Sequence, residues 1–291
     1  MSEVPLTREA PMRGVRDILA AQLDRIIVAF GRRRRSDDAV HEIRRDVKKA
    51  RATLRLLREP LGTAAYRREN RILRNAGRPL TPPRDATVLL ETFDRLFGDT
   101  RRLQGEPAAK ELRRALLREC SAANKQWASQ ETATSADALH GVRQRVQRLS
   151  EARLDRAELK PGLKRAYRKT RKAYAHALSQ LNDECLHEWR KQVKYLIYQL
   201  EIVRPLEPKG IVKFIKKARK LADHLGEDHD LALLHGKIGQ HLKASAAYQR
   251  VAKALAAKVQ RKRVRLQRKS YRLGRKLYSD PPRRFARTLA G

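Results

Sequence analysis

Two segments that begin with histidine carry side chains suited to binding phosphate. The run His41-Glu42-Ile43-Arg44-Arg45-Asp46-Val47-Lys48 recurs 146 residues later (187 minus 41) as His187-Glu188-Trp189-Arg190-Lys191-Gln192-Val193-Lys194. Arginine and lysine donate charge-assisted hydrogen bonds to phosphate oxygens. A histidine ring nitrogen can also donate, and a bound anion favours its protonated form. The chemistry that these segments indicate is therefore anion binding.

Helical periodicity places the basic groups of each segment on one face. A helix turns by about 100° per residue, so the cations of each segment fall within about 100° of one another, opposite the apolar residues. The basic faces hold His41, Arg44, Lys48, Arg51 and Arg55 in the first segment and His187, Arg190, Lys191 and Lys194, with Tyr198, in the second. The opposite faces, which we expect in the core, hold Ile43, Val47, Leu54, Trp189, Val193 and Leu200.

The next helix in each half repeats this pattern. The first has a row of four arginines, and the second has a row of four lysines: Arg67, Arg71, Arg74 and Arg78, and Lys213, Lys216, Lys217 and Lys220. Like charges at i,i+4 each destabilise a helix by a few tenths of a kcal/mol, and a phosphate-rich ligand relieves that repulsion. A solvated face is the simpler interpretation of one basic row, but four rows with few acids between them favour an anion site.

The composition narrows the class of ligand. The 291 residues include 68 Lys+Arg and 32 Asp+Glu, a formal charge of +36. Such a charge fits a polyanionic partner rather than a small neutral substrate. Two cysteines provide no disulfide framework. The N-terminus shows no apolar signal region, and the longest apolar run, Ile26–Phe30, is far too short to span a membrane. We expect a soluble, cytoplasmic protein.

The C-terminal segment is the most basic part of the chain. Residues 250–291 contain 15 Lys+Arg and a single acid, Asp280. Because these cations occupy most of the helical wheel, they predict diffuse attraction rather than a shaped pocket. They include Arg261, Lys262, Arg263, Arg265, Arg268, Lys269, Arg272, Arg275 and Lys276.

Periodicity throughout the chain predicts an all-α fold. No stretch alternates in the manner of a β-strand, and glycine and proline fall mostly at breaks. The predicted helices are 11–35, 39–58, 64–79, 84–97, 108–127, 136–150, 162–179, 185–203, 210–225, 228–241 and 246–277, each boundary good to about three residues.

A second internal match supports a duplication. Leu80–Leu89 aligns with Leu225–Leu234 at an offset of 145 residues (230 minus 85), close to the offset of the histidine segments. Two matches in one order predict two helical repeats, 10–151 and 159–279, followed by a flexible basic tail at 280–291.

Several other polar residues have a simpler structural interpretation. Asp85 and Asp230 follow predicted breaks and are interpreted as capping or arginine-orienting residues, and Gly226 as a helix terminator. Asp223, His224, His229 and Asp230, with His187, leave open a metal-dependent phosphohydrolase. The first repeat has Arg84 where the second has His229, and an arginine repels a metal ion.

These residues resemble the conserved histidine α-helical domain, the CHAD family, whose hallmark is a histidine-led basic helix in each of two repeats. The segments that carry the resemblance are 40–58, 80–90, 162–168, 186–203 and 221–234. The resemblance implies two four-helix-bundle-like halves around a pseudo-two-fold axis, with a basic central groove or pore. It also implies binding of inorganic polyphosphate without catalysis and, in bacteria, association with polyphosphate granules. The second copy departs from the pattern, because Tyr195 and Ile197 align with Lys49 and Arg51, and Glu201 with Arg55.

The sequence thus predicts a non-catalytic polyphosphate-binding protein without cofactor or metal. The two histidine-bearing faces would line the groove, and the arginine and lysine rows would flank it. Sequence-nonspecific nucleic-acid binding is the main alternative, because duplexes bind any adequate field of cations. The chain shows no recognised base-reading motif, and its basic rows lack the interleaved aromatic residues of single-strand binders.

Overall fold

The protein is described from a computed structural model. The structure describes residue 6 and residues 9–32, 37–97, 106–129, 132–155, 158–206, 210–241 and 246–288. In this part of the chain all regular elements are helical, and no strand occurs. In chain order they are α1 (Pro11–Phe30), α2 (Asp37–Leu56), α3 (Arg58–Leu61), α4 (Thr63–Gly77), α5 (Thr81–Phe97), α6 (Pro107–Ser129), α7 (Ala133–Gln147), α8 (Glu151–Asp155), α9 (Leu159–Gln180), α10 (Asp183–Val203), α11 (Gly210–His241), α12 (Ala246–Leu277) and α13 (Pro282–Thr288), with a 3₁₀ turn at Arg204–Leu206. The all-α prediction is confirmed.

The helices pack in two groups. In the first, α1 packs on α2 and α7, and α4 packs on the same two helices, which closes a four-helix arrangement. In the second, α10 packs on α9 and α11, and α12 packs on the same two helices. The groups meet where α2 packs against α10, so the two histidine-led helices are neighbours.

One large apolar core runs through this junction. It contains all six residues predicted for the core, each at most 4% exposed: Ile43, Val47, Leu54, Trp189, Val193 and Leu200. Burial of apolar surface stabilises by about 25 cal/mol per Å², so these faces hold α2 and α10 together and leave their basic faces outside the core. A second core joins α5 and α6 to the later turns of α11 and to α12 through Phe93, Leu112, Leu231, Leu234 and Leu255.

Helix α11 corrects one prediction. The chain was expected to break at Gly226, with Asp230 starting the next helix, but α11 continues from Gly210 to His241. A single glycine costs a helix only about 1 kcal/mol, and the buried residues Leu225 and Leu231 secure the turns on either side of it. In the first half the corresponding break does occur, because Pro82 and Pro83 come at the start of α5. Most other predicted boundaries agree within about three residues, although α1 ends at Phe30 and residues 33–35 of its predicted end lie outside the described part.

The C-terminus corrects another prediction. Residues 282–288 form helix α13, which packs on α9 instead of forming a flexible tail. Phe285 is buried and stacks on Tyr167, with ring centroids 4.0 Å apart. The Tyr167 hydroxyl donates to the carbonyl oxygens of Leu277 (3.1 Å) and Asp280 (2.8 Å). Residues 289–291 of the predicted tail lie outside the described part. None of the described helices is both long and apolar enough to cross a membrane.

Candidate anion-binding site

The packing of α2 on α10 brings four cations together at the junction of the two groups of helices. We call Arg44, Lys48, Arg190 and Lys194 the central cation cluster. Each lies on the basic face of its helix and is partly buried. Their charges repel one another. Arg190 disfavours the charged form of Arg44, and both Arg190 and Lys194 disfavour the charged form of Lys48. The structure therefore brings together the central part of both predicted basic faces.

The two lysines of this cluster have strongly lowered pKa values. Burial, the largest cause, and the neighbouring cations Arg44, Lys194 and Arg190 lower the pKa of Lys48 to about 7. Burial and Arg190 lower the pKa of Lys194 to about 8, although Asp223 and Asp230 act in the opposite direction. Among the described residues, no carboxylate oxygen lies within 4.0 Å of the Nζ atom of either lysine, so neither forms an ion pair. These ammonium groups are therefore partly removed from bulk water, with no ion-pair partner in the described part of the chain.

The two arginines are positioned by different contacts. Arg44 Nη2 lies 3.5 Å from Asp85 Oδ1, and Arg44 Nη1 donates to the carbonyl oxygen of Leu80 at 3.3 Å. Asp85 thus orients an arginine, as predicted. The guanidinium of Arg190 lies against α11 at Gly226, where a Cβ atom would come within 3.3 Å of both Nε and Nη2. Arg190 Nε is buried without a hydrogen-bond partner in the described part of the structure.

A cavity of about 440 Å³ opens beside Arg190 and Lys194. We call it the central cleft, and its lining consists of Arg95, Arg190, Lys194, Ala222, Asp223, Gly226, Glu227 and Asp230. Asp230 lies inside α11 and does not begin a helix, so it is not a capping residue. Burial raises the pKa of its carboxyl, while Arg190, Arg84 and Arg95 oppose that change. The lining therefore presents three cations together with an equal number of carboxyl groups.

Arg84 and Arg95 were missed as site residues by the sequence analysis. Both lie on α5, and Arg84 also lowers the pKa of His41 and of Arg44. The signal available was the Leu80–Leu89 match, which places α5 opposite the cleft-lining turns of α11. Only the packing of α5 on α11 shows that these arginines point to the same place.

The two repeated histidines lie at one end of the cluster. The pKa of His41 is lowered by burial and by Arg84, Arg45 and Lys194. The pKa of His187 is lowered by burial and by Arg190 and Lys191. The ring centroid of His187 lies 4.4 Å from that of His229. The pKa of His229 is lowered to about 4 by burial and by the neighbouring His187. In the described part of the chain, no group of three or more His, Cys, Asp or Glu side chains is arranged to hold a metal ion.

At the opposite end, the basic face of α2 meets an apolar part of α10. The Arg55 guanidinium lies 3.6 Å from the Tyr195 ring centroid, and Arg51 Nε donates to Asn70 Oδ1 at 3.2 Å. Tyr195 and Ile197 are buried. The departure of the second repeat from the family pattern therefore has a packing reason, because these residues seal α10 against α2.

The flanking rows are less closely connected to the central cation cluster. The arginine row of α4 is exposed, and one of its members, Arg74, contributes to the lowered pKa of Arg51. The lysine row of α11 is also exposed, and Lys220 acts on His224 together with Lys269 of α12. Lys191 is exposed and pairs with Glu188 on its own helix. The members of the two rows are Arg67, Arg71, Arg74 and Arg78, and Lys213, Lys216, Lys217 and Lys220.

Helix α12 separates its cations into two environments. Arg263 is 7% exposed and pairs with Asp228 at 3.2 Å and with Asp183, so it holds α12 to α11 and α10 and takes no part in diffuse attraction. On the outer side, five exposed arginines fall within about 80° of one another on the helical wheel. We call Arg261, Arg265, Arg268, Arg272 and Arg275 the α12 outer row.

Comparison with known proteins agrees with this architecture. The sequence profile of the CHAD domain matches residues 17–239. Among solved structures, the chain is similar to PptA from Streptomyces chartreusis, with 18% identity and a TM-score of 0.66 over 90% of this chain and 98% of that one. It is also similar to the CHAD domain from the plant Ricinus communis, with 16% identity and a TM-score of 0.57 over 94% and 92% of the two chains. No curated protein matches it. Because the profile covers well over half of the residues and the fold is shared, the chain belongs to the CHAD-domain family.

Proposed function

We propose that this protein binds inorganic polyphosphate in the central cleft and does not catalyse a reaction on it. The observation that carries the proposal is the central cation cluster, in which Lys48 and Lys194 are partly buried and have no ion-pair partner among the described residues. A chain of phosphates satisfies such cations with charge-assisted hydrogen bonds. Membership of the CHAD family supports the same ligand.

We also infer that the ligand lies along a pseudo-two-fold axis between two repeats. The charge of Arg190 lowers the pKa of Arg44 and the charge of Lys194 lowers the pKa of Lys48, and each pair has the 146-residue offset of the sequence repeat. Equivalent residues of a duplication meet in this way where two copies face each other across a two-fold axis. The groove would then run from His41 and His187, past the cluster, toward Arg51 and Arg55. The proposed halves remain 10–151 and 159–279.

Binding without chemistry is supported by the character of the side chains around the cleft. The cleft offers cations beside carboxyl groups that are exposed (Asp223) or partly buried (Glu227 and Asp230), and the described residues present no group of three His, Cys, Asp or Glu side chains placed to hold a metal ion. Storage at a granule or recruitment of a partner would need binding alone. Incubation of the protein with polyphosphate, with and without added Mg²⁺ or Mn²⁺, should release no phosphate above the blank. Metal-dependent release that is lost in a Lys194→Glu variant would contradict the proposal.

The α12 outer row favours a second candidate, the sequence-independent binding of nucleic acid. Five exposed arginines along one helix suit the phosphate backbone of a duplex and need no shaped pocket. Competition between long-chain polyphosphate and duplex DNA, at one ionic strength and equal phosphate concentration, separates the two functions. We expect polyphosphate to displace labelled polyphosphate at least tenfold more effectively than DNA does. Equal displacement per phosphate would contradict a site selective for polyphosphate.

A further inference from the structure

A second basic cavity lies on the α9 side of the junction, apart from the central cleft. We call it the α3–α9 pocket. It has a volume of about 590 Å³ and is lined by Arg58, Glu59, Gly62, Thr63, Pro161, Arg165 and Arg168. Helix α3 and the start of α4 form one wall, and the first turns of α9 form the other. Its residues belong to none of the basic rows that the sequence analysis selected.

The cations of this pocket repel one another and have little compensation. Burial and the neighbouring Arg58 lower the pKa of Arg165, which Glu59 partly offsets. Burial, Arg55, Arg58 and Arg165 lower the pKa of Lys169, one turn further along α9. Within the described part of the chain, neither Arg165 nor Arg168 has a carboxylate at ion-pair distance. Arg58 has an aromatic neighbour, since its guanidinium lies 5.3 Å from the Tyr66 ring centroid.

A continuous line of cations joins this pocket to the central cation cluster. Along α2, Lys48 is followed by Arg51 and Arg55 on the same face, and Arg55 acts directly on Lys169. From Arg44 to Arg55 helix α2 advances by 11 residues, or about 16 Å at 1.5 Å per residue, and Arg58 follows at the start of α3. This line has no counterpart on α10, where Ile197 and Glu201 occupy the positions equivalent to Arg51 and Arg55.

We propose that the α3–α9 pocket is a second phosphate-binding site, which holds the continuation of a phosphate chain whose first part lies in the central cleft. The inference rests on the proposed function for the identity of the ligand. Its consequence is that a long chain contacts both sites, whereas a chain of three phosphates is too short to bridge them. Each site alone recognises phosphate oxygens, and length selectivity comes from linking the two.

The test compares a pocket variant with a control on the same helix. Arg165→Gln together with Arg168→Gln removes two pocket charges, and neither arginine has an ion pair among the described residues whose loss would affect folding. Lys164→Gln together with Arg171→Gln removes the same charge from α9, and the mean direction of this pair lies about 80° from that of the pocket pair on the helical wheel. Affinity is measured by titration calorimetry with long-chain polyphosphate, and circular dichroism confirms that both variants are folded.

We expect the pocket variant to bind long-chain polyphosphate at least tenfold more weakly than the control variant does. A loss no greater than that of the control would overturn the proposal. A Lys194→Gln variant separates this result from the proposed function. If it retains full affinity while the pocket variant loses affinity, the central cleft is not the site but the pocket is. If it loses affinity and the pocket variant does not, the cleft stands and the pocket proposal fails.

Discussion

The central cation cluster and the α12 outer row contain the same kinds of side chain in opposite environments. Lys48 and Lys194 are partly buried between α2, α10 and the cleft, and burial is the largest cause of their lowered pKa values. The arginines of the outer row are exposed along one side of α12. Water and salt screen charges at the surface within about 10 Å at 0.1 M ionic strength, but they screen buried charges much less. Repulsion between cations is therefore strong in the cluster and weak along the outer row.

This difference teaches that the number of cations does not define the site. A ligand that enters the cluster relieves both the repulsion and the unfavourable burial, whereas a ligand on the outer row displaces water and counterions only. The cluster should therefore determine which anion binds. The outer row should contribute a weaker attraction that disappears at high salt. Four experiments test this contrast.

The largest effect is expected from reversing charges in the cluster. Lys48→Glu together with Lys194→Glu should weaken polyphosphate binding by about 100-fold or more, because two partly buried cations become carboxylates that face the ligand. The matched pair Arg268→Glu and Arg272→Glu makes the same change in net charge on the outer row and should weaken binding about threefold at 0.15 M salt. Fluorescence anisotropy with a labelled chain measures both. Equal losses would show that total charge alone governs binding.

The next largest effect is expected from pH. Because the pKa values of Lys48 and Lys194 are about 7 and about 8, the free protein loses these charges as pH rises through this range. A bound anion favours the charged forms, so binding takes up protons and affinity should fall about tenfold from pH 6.5 to 8.5. Titration calorimetry in two buffers of different ionisation enthalpy measures the proton uptake. Long polyphosphate chains are used because their few terminal phosphates contribute little to the measured proton uptake.

The pH dependence should depend on the cluster and not on the outer row. A Lys48→Met variant should take up fewer protons on binding, whereas Arg268→Met should match the unaltered protein. Proton uptake that is the same in all three proteins would contradict the assignment of this titration to Lys48.

A stability measurement with the same pair gives a smaller effect. Lys48→Met removes a partly buried charge that has no ion pair among the described residues and should raise the free energy of unfolding by about 1 kcal/mol or more. Each kcal/mol corresponds to a rise in Tm of about 2–4 °C. The folded-state pKa of Lys48 lies below its ordinary value of 10.5, so the unfolded state holds more protons between pH 7 and pH 10.5. The gain should therefore be greatest at pH 7 and below and shrink as pH rises toward 10.5. Arg268→Met should leave Tm unchanged, and a fall in Tm for Lys48→Met would contradict the interpretation.

The smallest effect is expected from Gly226→Ala. The new Cβ atom would lie 3.3 Å from Arg190 Nε and Nη2 and should displace this guanidinium by a few tenths of an ångström. Alanine favours a helix by up to about 1 kcal/mol over glycine, so Tm should hold or rise while polyphosphate affinity falls two- to fivefold. Gly236→Ala on the same helix has nothing within 4 Å of its Cβ position and should leave affinity unchanged. The same affinity in both variants would show that the position of Arg190 is not critical.

The comparison of predicted and observed helices shows where sequence reasoning holds. The buried faces of α2 and α10 follow from helical periodicity, and all six expected core residues are buried. The break at Gly226 was wrong, since leucines on both sides of it continue the buried face of α11 through that position. The C-terminal tail was also wrong, because one aromatic residue, Phe285, can hold a short helix against α9 when Tyr167 lies opposite it. Both errors arise from contacts with residues distant in sequence, which local propensity does not report.

The amino-acid sequence by itself determined the all-α fold, the basic faces of the two histidine-led helices and the excess of positive charge. All three depend on residue type and on a period of 3.6 residues. Only the tertiary structure decided which cations share one space, and it placed Arg84 and Arg95 of α5 beside Arg190 and Lys194 while leaving the lysine row of α11 exposed. The physical reason is that repulsion and burial depend on distances between helices, and these distances are set by how the apolar faces pack.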